Sequence, residues 1–234
     1  MNASINDRKI IALVPMRHNS ERVPSKNYRS FAGKPLYYHI IKNLISCPLV
    51  SQVVVDTDSP IIKDGIMKAF PNVILIERPE HLRDGKIPMN EVLLYDVNKV
   101  KADYFLQTHS TNPLLQSQTI SRAIQFFLTN LPAYDALFSV TKLQVRLWDE
   151  QVRPINHDPS ILLRTQDLPP IFEENSCLYI FNKKTLEDTH SRIGRNPFLF
   201  EIDRLEAWDI DDELDFSLAE LLYSKYYSKE GKLK

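Results

Sequence analysis

The chain has 234 residues, 25% of them charged and 43% hydrophobic, enough for one large domain with a sizeable core. Its 29 basic and 30 acidic residues leave a net charge near zero, which argues against non-specific binding to nucleic acid or to a membrane surface, since either needs a basic surplus. Cys47 and Cys177, the only cysteines, exclude a disulfide framework and are expected to be buried and reduced. The polar leader Met1–Asp7 lacks the apolar centre of a signal peptide and no run reaches membrane-spanning length, so a cytoplasmic protein is expected.

In chain order, short apolar runs alternate with longer helical patterns. Lys9–Val14 is predicted as a strand, Pro35–Ile45 as a helix with Pro35 in its first turn, and Val53–Val55 as the next strand. A helix over Ile61–Phe70, a strand over Val73–Ile76, a helix over Met89–Val100, a strand over Tyr104–Gln107 and a helix over Ile120–Leu128 follow. Ala136–Val140 is a further strand. This rhythm predicts an α/β fold, Rossmann-like, with a mainly parallel sheet flanked by helices. Between Thr141 and Glu174 the rhythm breaks around Arg153-Pro154, His157-Asp158-Pro159 and Leu168-Pro169-Pro170, which reads as an extended arm or small insertion. Cys177–Phe181 and Leu199–Ile202 are returning strands. A last helix, Glu213–Tyr226, sets Leu214, Leu218, Leu221 and Leu222 on one face. The expectation is a single domain over residues 8–234 with the arm at 141–174 inside it.

Two stretches carry chemistry. The loop Pro15–Asn27 follows the first strand and holds Arg17, Arg22 and Lys26 with Ser20 and Asn27 between them, a mixture of charge and directional donors suited to an oligophosphate. Open α/β sheets bind ligands at the carboxyl ends of their strands, where this loop falls. The second stretch is Trp208-Asp209-Ile210-Asp211-Asp212-Glu213. If it is extended, Asp209 and Asp211 face the same way with Cα atoms about 7 Å apart, a spacing that lets two carboxylates share a hard cation such as Mg²⁺. The competing reading is that Asp211 or Asp212 caps the last helix.

These residues sit in a longer series of ordered blocks. Met16–Asn27, Phe31-Ala32-Gly33-Lys34-Pro35-Leu36, Val53-Val54-Val55-Asp56-Thr57-Asp58, Thr111-Asn112-Pro113-Leu114, Arg164-Thr165-Gln166-Asp167-Leu168-Pro169 and Glu174–Ile180, together with Asp209-Ile210-Asp211, resemble the acylneuraminate cytidylyltransferases. The resemblance runs from Ile10 to about Leu222. It implies a nucleotide-diphospho-sugar transferase type of fold, a homodimer with a small extended dimerisation arm, and a site for CTP and a 2-keto sugar acid, with Mg²⁺ held by Asp209 and Asp211. It implies that Arg17, Ser20, Arg22, Lys26, Asn27, Arg78 and Asn90 meet the nucleotide, and that Arg17, Lys26 and Asp211 carry the catalysis. Asp58, His109, Thr111, Arg164, Gln166, Asn175 and Tyr179 are implied at the sugar, Arg164 for its carboxylate.

The residues alone leave other roles open. Asp58 can cap the helix that begins near Ser59, Arg78 can begin a loop, and Asn90 can serve a helix N-terminus. His109 can be an ordinary strand-end histidine, Asn175 a turn residue, and Tyr179 a core aromatic with a tethered hydroxyl. His39 is expected to be structural. Glu21 stands where the family has lysine, and His18-Asn19 replaces a glycine pair, which restricts backbone approach to phosphate. Leu115 replaces an arginine, so the sugar is expected to differ from N-acetylneuraminate. The alternatives carried forward are a nucleotidyltransferase for an eight-carbon sugar acid and a non-catalytic sugar-nucleotide-binding homologue.

Overall fold

In the computed structural model, which describes residues 7–227, every side chain of β1 (Ile10–Met16) is buried. An unbroken apolar run is what a strand covered on both faces requires. β1 pairs in parallel with β4 (Gln52–Thr57) on one side and β6 (Tyr104–Thr108) on the other, and β4 pairs in parallel with β5 (Ile74–Glu77). β2 (Ser30–Phe31) and β3 (Lys34–Pro35) form a separate small hairpin that turns at Ala32 and Gly33, both at positive φ. Beyond β6, the antiparallel β8 (Ile171–Phe181) lies between β6 and β7 (Ala136–Leu143), and β9 (Pro197–Glu201) closes the sheet in parallel with β7. The order β5-β4-β1-β6-β8-β7-β9 is mainly parallel, as the alternating pattern predicts. Chain direction across the sheet reverses between β1 and β6, and such a switch point leaves a crevice outside the carboxyl ends of the two strands.

The faces of β1 divide the core. Ile10, Ala12, Val14 and Met16 pack with Ile40, Ile41 and Leu44 of α1 (Leu36–Ile45) and with Ile120, Ile124 and Phe127 of α4 (Ser117–Thr129). Ile11 and Leu13 face Leu93 and Val97 of α3 (Met89–Val97) and Leu186 of α5 (Lys183–Thr189). Each such fully buried aliphatic side chain contributes roughly 1.5–3 kcal/mol relative to exposure. α2 (Pro60–Ala69) starts at Ser59, whose side chain accepts from Ile62 N–H. No described helix is long and apolar enough to cross a membrane. Cys47 and Cys177 are both buried and free. His39 is buried with Nε2 2.9 Å from Phe31 O, a structural role as expected. The polar leader at Met1–Asn6 lies outside the described residues.

α6 (Glu213–Tyr226) departs from its expected orientation. Leu214 and Leu221 are exposed, and the helix buries Phe216 and Ala219 instead. The partner decides this: α6 docks on the β2–β3 hairpin, where Phe31 meets Phe216 and Tyr223 edge-on at ring distances of 5.6 Å each. Arg29 lies over the Phe216 ring and Glu220 accepts from Ala32 N–H at 2.7 Å. Aromatic edges and a half-buried backbone donor outweigh a leucine stripe of which Leu218 and Leu222 are only half-buried. Val23, Leu36 and Ile210 join this cluster, so it ties the loop after β1 to the segment before α6.

Residues 141–174 project from the sheet as a continuation of β7 and β8. β7 and β8 extend together to the pair Leu143↔Ile171, and the remainder folds back at their tip with Gln144 donating to Thr165 O and Leu168 O. Ile155, Ile161, Leu162 and Leu163 are exposed there.

Candidate active site

The loop after β1 is built by side-chain anchors. Asp58 accepts from His18 N–H at 2.7 Å, and His18 Nδ1 lies 2.8 Å from Ser59 Oγ while its ring stacks on Tyr28. Asn27, 8% exposed, donates to Arg17 O at 2.7 Å and accepts from Ser110 Oγ at 2.6 Å. Only Ser25 in this loop takes a positive φ, so His18 and Asn19 meet no backbone strain. The lost glycine pair is thereby compensated: the loop is shaped from outside. Asn27 lines the cavity, but both ends of its amide hold protein.

Opposite the loop, the segment before α6 alternates as expected without being a strand. Ile210 is fully buried, its N–H donates to Thr111 O at 3.0 Å, and its carbonyl accepts from Lys26 Nζ. Asp209 and Asp211 are turned into the cavity. The cap of α6 is Asp212, in a reciprocal capping box with Asp215, while Glu213 pairs with Arg29 at 2.7 Å. Asp211 is therefore not the cap. It accepts from Arg22 Nη2 at 2.6 Å. Burial pushes the Asp209 carboxyl up, against hydrogen bonding from Thr111 and the charge of Lys26. Burial likewise lowers Lys26, which the two aspartates oppose.

A cavity of about 520 Å³ joins these parts at the carboxyl ends of β1 and β6. Its walls include Arg17, Ser20, Arg22 and Lys26 from the loop, His109 and Thr111 after β6, and Asp209 and Asp211. Arg78 lies at its floor, almost fully buried, in an ion pair with Asp56 of β4. Asp96 of α3 is buried nearby, and burial followed by the charge of Asp56 pushes it up to about 8. Gly85, on the loop before α3, lies against Arg17 and Glu21: a methyl group there would stand 2.3 Å from Arg17 Nη1 and 3.1 Å from Glu21 Oε1.

Other expected site residues are placed differently. Asp58 neither caps α2, which Ser59 does, nor lines the cavity; it fixes the loop through His18. Asn90 does not line it either, and its Oδ1 accepts from Arg192 N–H at 3.3 Å. Arg164 and Gln166 are exposed on the arm, where Arg164 pairs with Asp167 at 2.6 Å, so this chain does not bring them to its own cavity. Asn175 accepts from Ser139 Oγ at 2.6 Å and donates to Thr141 Oγ1 at 3.0 Å, and it borders an adjoining hollow that shares Asp209, Asp211 and Ser176. It sits in an irregularity of β8, where the register against β7 shifts between Phe138 and Val140 and Ser176 takes a positive φ. Tyr179 is fully buried with its hydroxyl tethered to Glu174 and Ser176, the core-aromatic role.

Arg192 was absent from the sequence reading. It lies in the loop between α5 and β9, lines the cavity, and stacks on the Tyr179 ring with its guanidinium carbon 3.5 Å from the centroid. Its Nη1 donates to Gln107 Oε1 at 2.5 Å. Nothing in Ser191-Arg192-Ile193-Gly194 marks it as a site; both partners are brought by other strands.

No group of three or more His, Cys, Asp or Glu side chains converges among the described residues. The Asp209–Asp211 pair nevertheless fits a hard cation that takes few carboxylates and completes its shell from phosphate and water. Asp209 Oδ1 is buried without a hydrogen-bond partner, as an oxygen awaiting a positive ligand would be.

The family model described as Cytidylyltransferase matches residues 11–232. The N-acylneuraminate cytidylyltransferase of Escherichia coli is 26% identical over 226 residues, covering 93% of this chain and 52% of that protein. The N-acylneuraminate cytidylyltransferase A of Danio rerio is 25% identical, covering 95% and 53%. The chain thus spans about half the length of these relatives. Pseudaminic acid cytidylyltransferase of Campylobacter jejuni is 22% identical, with 92% of this chain and 96% of that protein covered. Among solved structures, CMP:2-keto-3-deoxy-manno-octonic acid synthetase complexed with CTP superposes with a TM-score of 0.69 at 14% identity, covering 93% of this chain and 99% of that one. 4-Diphosphocytidyl-2C-methyl-D-erythritol synthase follows at 0.65 and 18%, covering 92% and 99%. These structures share the fold.

Proposed function

The chain belongs to the cytidylyltransferase family, and from that premise we propose that it activates a sialic-acid-like nonulosonate with CTP. The sugar's 2-hydroxyl oxygen bonds to the α-phosphorus of CTP, the bond to the β-phosphate bridging oxygen breaks, and the hydroxyl proton is lost to solvent, giving a CMP-sugar and pyrophosphate. The observation that carries this reading is the meeting, in one cavity, of Arg17, Arg22 and Lys26 with the carboxylates of Asp209 and Asp211. Cations beside a triphosphate oppose the charge that builds on the leaving group, and fixed geometry replaces the entropy cost of assembling two substrates. Ser20 and Thr111 add neutral donors on the same walls.

Asp209 and Asp211 would hold Mg²⁺, which supplies charge stabilisation at phosphate oxygens. The remaining positioning is the protein's own. The arm, with Ile155, Ile161, Leu162 and Leu163 exposed, is read as a dimer contact that lends Arg164 and Gln166 to a neighbouring copy's cavity. A cytoplasmic location is part of the same proposal.

The test is a pyrophosphate-release screen of CTP, ATP, GTP and UTP against N-acetylneuraminic acid, pseudaminic acid and 2-keto-3-deoxy-manno-octonic acid, with and without Mg²⁺. CTP-specific, Mg²⁺-dependent release with a nine-carbon acid is the expected result. Release only with the eight-carbon acid would move the substrate class, and CTP binding with no release from any pair would leave a non-catalytic binder.

A further inference from the structure

Arg192 is a half-buried cation that forms no ion pair with any described carboxylate. Its flat face rests on Tyr179, and the Tyr179 hydroxyl is itself held by Glu174 and Ser176. A guanidinium withdrawn this far from water and stacked rather than paired is poised for an anion.

The arginine also fixes its neighbours. A guanidinium only donates, so the Gln107 atom that meets Arg192 Nη1 must be the amide oxygen. The amide nitrogen of Gln107 then faces Thr108 O at 3.0 Å and His109 Nε2 at 3.1 Å. Because that nitrogen donates, His109 Nε2 must accept, and the ring proton resides on Nδ1. Burial, with Arg192 and Lys26 close by, lowers His109 to about 3, so the ring stays neutral at working pH. Its Nδ1 has no acceptor among the described residues. Gln107 is fully buried and thus a positioning residue for both. The strip Arg192–Gln107–His109 therefore offers donors to the cavity, and His109 in this tautomer is no proton acceptor.

We propose that Arg192 and the Nδ1–H of His109 receive the carboxylate of the sugar acid, a role the sequence resemblance gives to Arg164. The inference rests on the cytidylyl-transfer reading. It also makes Arg192 a specificity residue: a neutral sugar leaves its charge opposed only by Glu174, which does not reach it as an ion pair, in a half-buried site.

The experiment pairs a change in the protein with a change in the substrate. Wild type, Arg192→Gln and Arg192→Lys are assayed at saturating CTP with whichever of the three acids named above turns over fastest, as free acid and as methyl ester. The ester should lower wild-type kcat/KM by roughly ten- to a hundred-fold, the loss expected for a charge-assisted pair. Arg192→Gln should lose a similar factor with the free acid, lose little more with the ester, and keep its KM for CTP. Arg192→Lys should recover part of the free-acid rate, and thermal melts of each variant separate misfolding from lost recognition. Independent, multiplying losses from ester and variant overturn the proposal, as does a loss that falls on the KM for CTP. Wild type silent with every acid would refute the reaction itself, an outcome distinct from an active enzyme that shows no coupling. Nitrogen-15 shifts of His109 give a second readout: a proton on Nδ1 is expected, and one on Nε2 contradicts the donor role.

Discussion

Arg22 Nη2 lies 2.6 Å from Asp211 Oδ1, so a cation of the loop and a carboxylate of the proposed metal pair neutralise each other across the cavity. Their side chains are 65% and 50% exposed. An ion pair that solvated is worth under about 1 kcal/mol, so phosphate and a cation can part it at little cost. Arg22→Ala should leave the melting temperature nearly unchanged and raise the KM for CTP by roughly tenfold, the loss of one charged hydrogen bond. An unchanged KM would remove Arg22 from the nucleotide site.

Neighbouring aspartates separate function from folding. Asp211→Ala should cut turnover by about a hundred-fold or more through lost charge stabilisation, with stability nearly intact. Asp212→Ala should do the reverse, costing about 1 kcal/mol as the cap is lost while kcat holds. Pyrophosphate release and urea unfolding on both variants check this. Near-normal release from Asp211→Ala would sink the catalytic role.

Gly85 gives a probe of the loop that leaves every charge in place. A methyl group there meets the mobile ends of Arg17 and Glu21, so the fold can yield while Arg17 is displaced. Gly85→Ala should lower kcat/KM roughly ten- to a hundred-fold, as small misplacements near a reacting group do, with an unchanged melting curve. Glu21→Lys, beside the same arginine, should keep or raise CTP affinity. Marked weakening would show that Glu21 has its own positive role.

Beneath the cavity, Asp96 makes stability depend on pH. Its carboxyl is pushed up to about 8 by burial and by Asp56, with Arg78 opposing. The native state then holds a proton that the unfolded chain releases at ordinary carboxylate pH. Stability from this group is complete in acid and is lost as pH rises through the interval up to about 8. Asp96→Asn, which keeps a donor without the charge, should flatten urea midpoints between pH 5 and 9. A decline as steep as that of wild type would assign the effect elsewhere.

The sheet was legible because its strands are buried on two faces, which forces runs such as Ile10–Val14 that no surface element would carry. The loop cations were legible because they follow β1, and the Asp209/Asp211 pair because it directly precedes α6, so that an element's end fixes the place of each. The leucines of α6 misled because amphipathicity identifies a stripe but not its partner, here Phe31 of the hairpin. Asp58 was read as a cap or a sugar contact, yet it holds His18, whose backbone lies 40 residues earlier. Arg192 escaped for the same reason: Gln107, which orients it, is 85 residues away, and no local pattern encodes such a meeting.

The shape of the loop after β1 is stored elsewhere, in Asp58, Ser59 and Ser110. Within residues 18–22, Asn19 and Glu21 are thus free to change without unshaping the loop, so long as those three anchors and His18 stay. Tolerance of the loop's shape to mutation should accordingly be inverted from what a glycine-rich cradle would show: permissive at rim positions such as Asn19 and Glu21, strict on anchoring side chains that never reach ligand. Engineering a new nucleotide preference would then begin with the rim, and grafted glycines would loosen a surface already held in place.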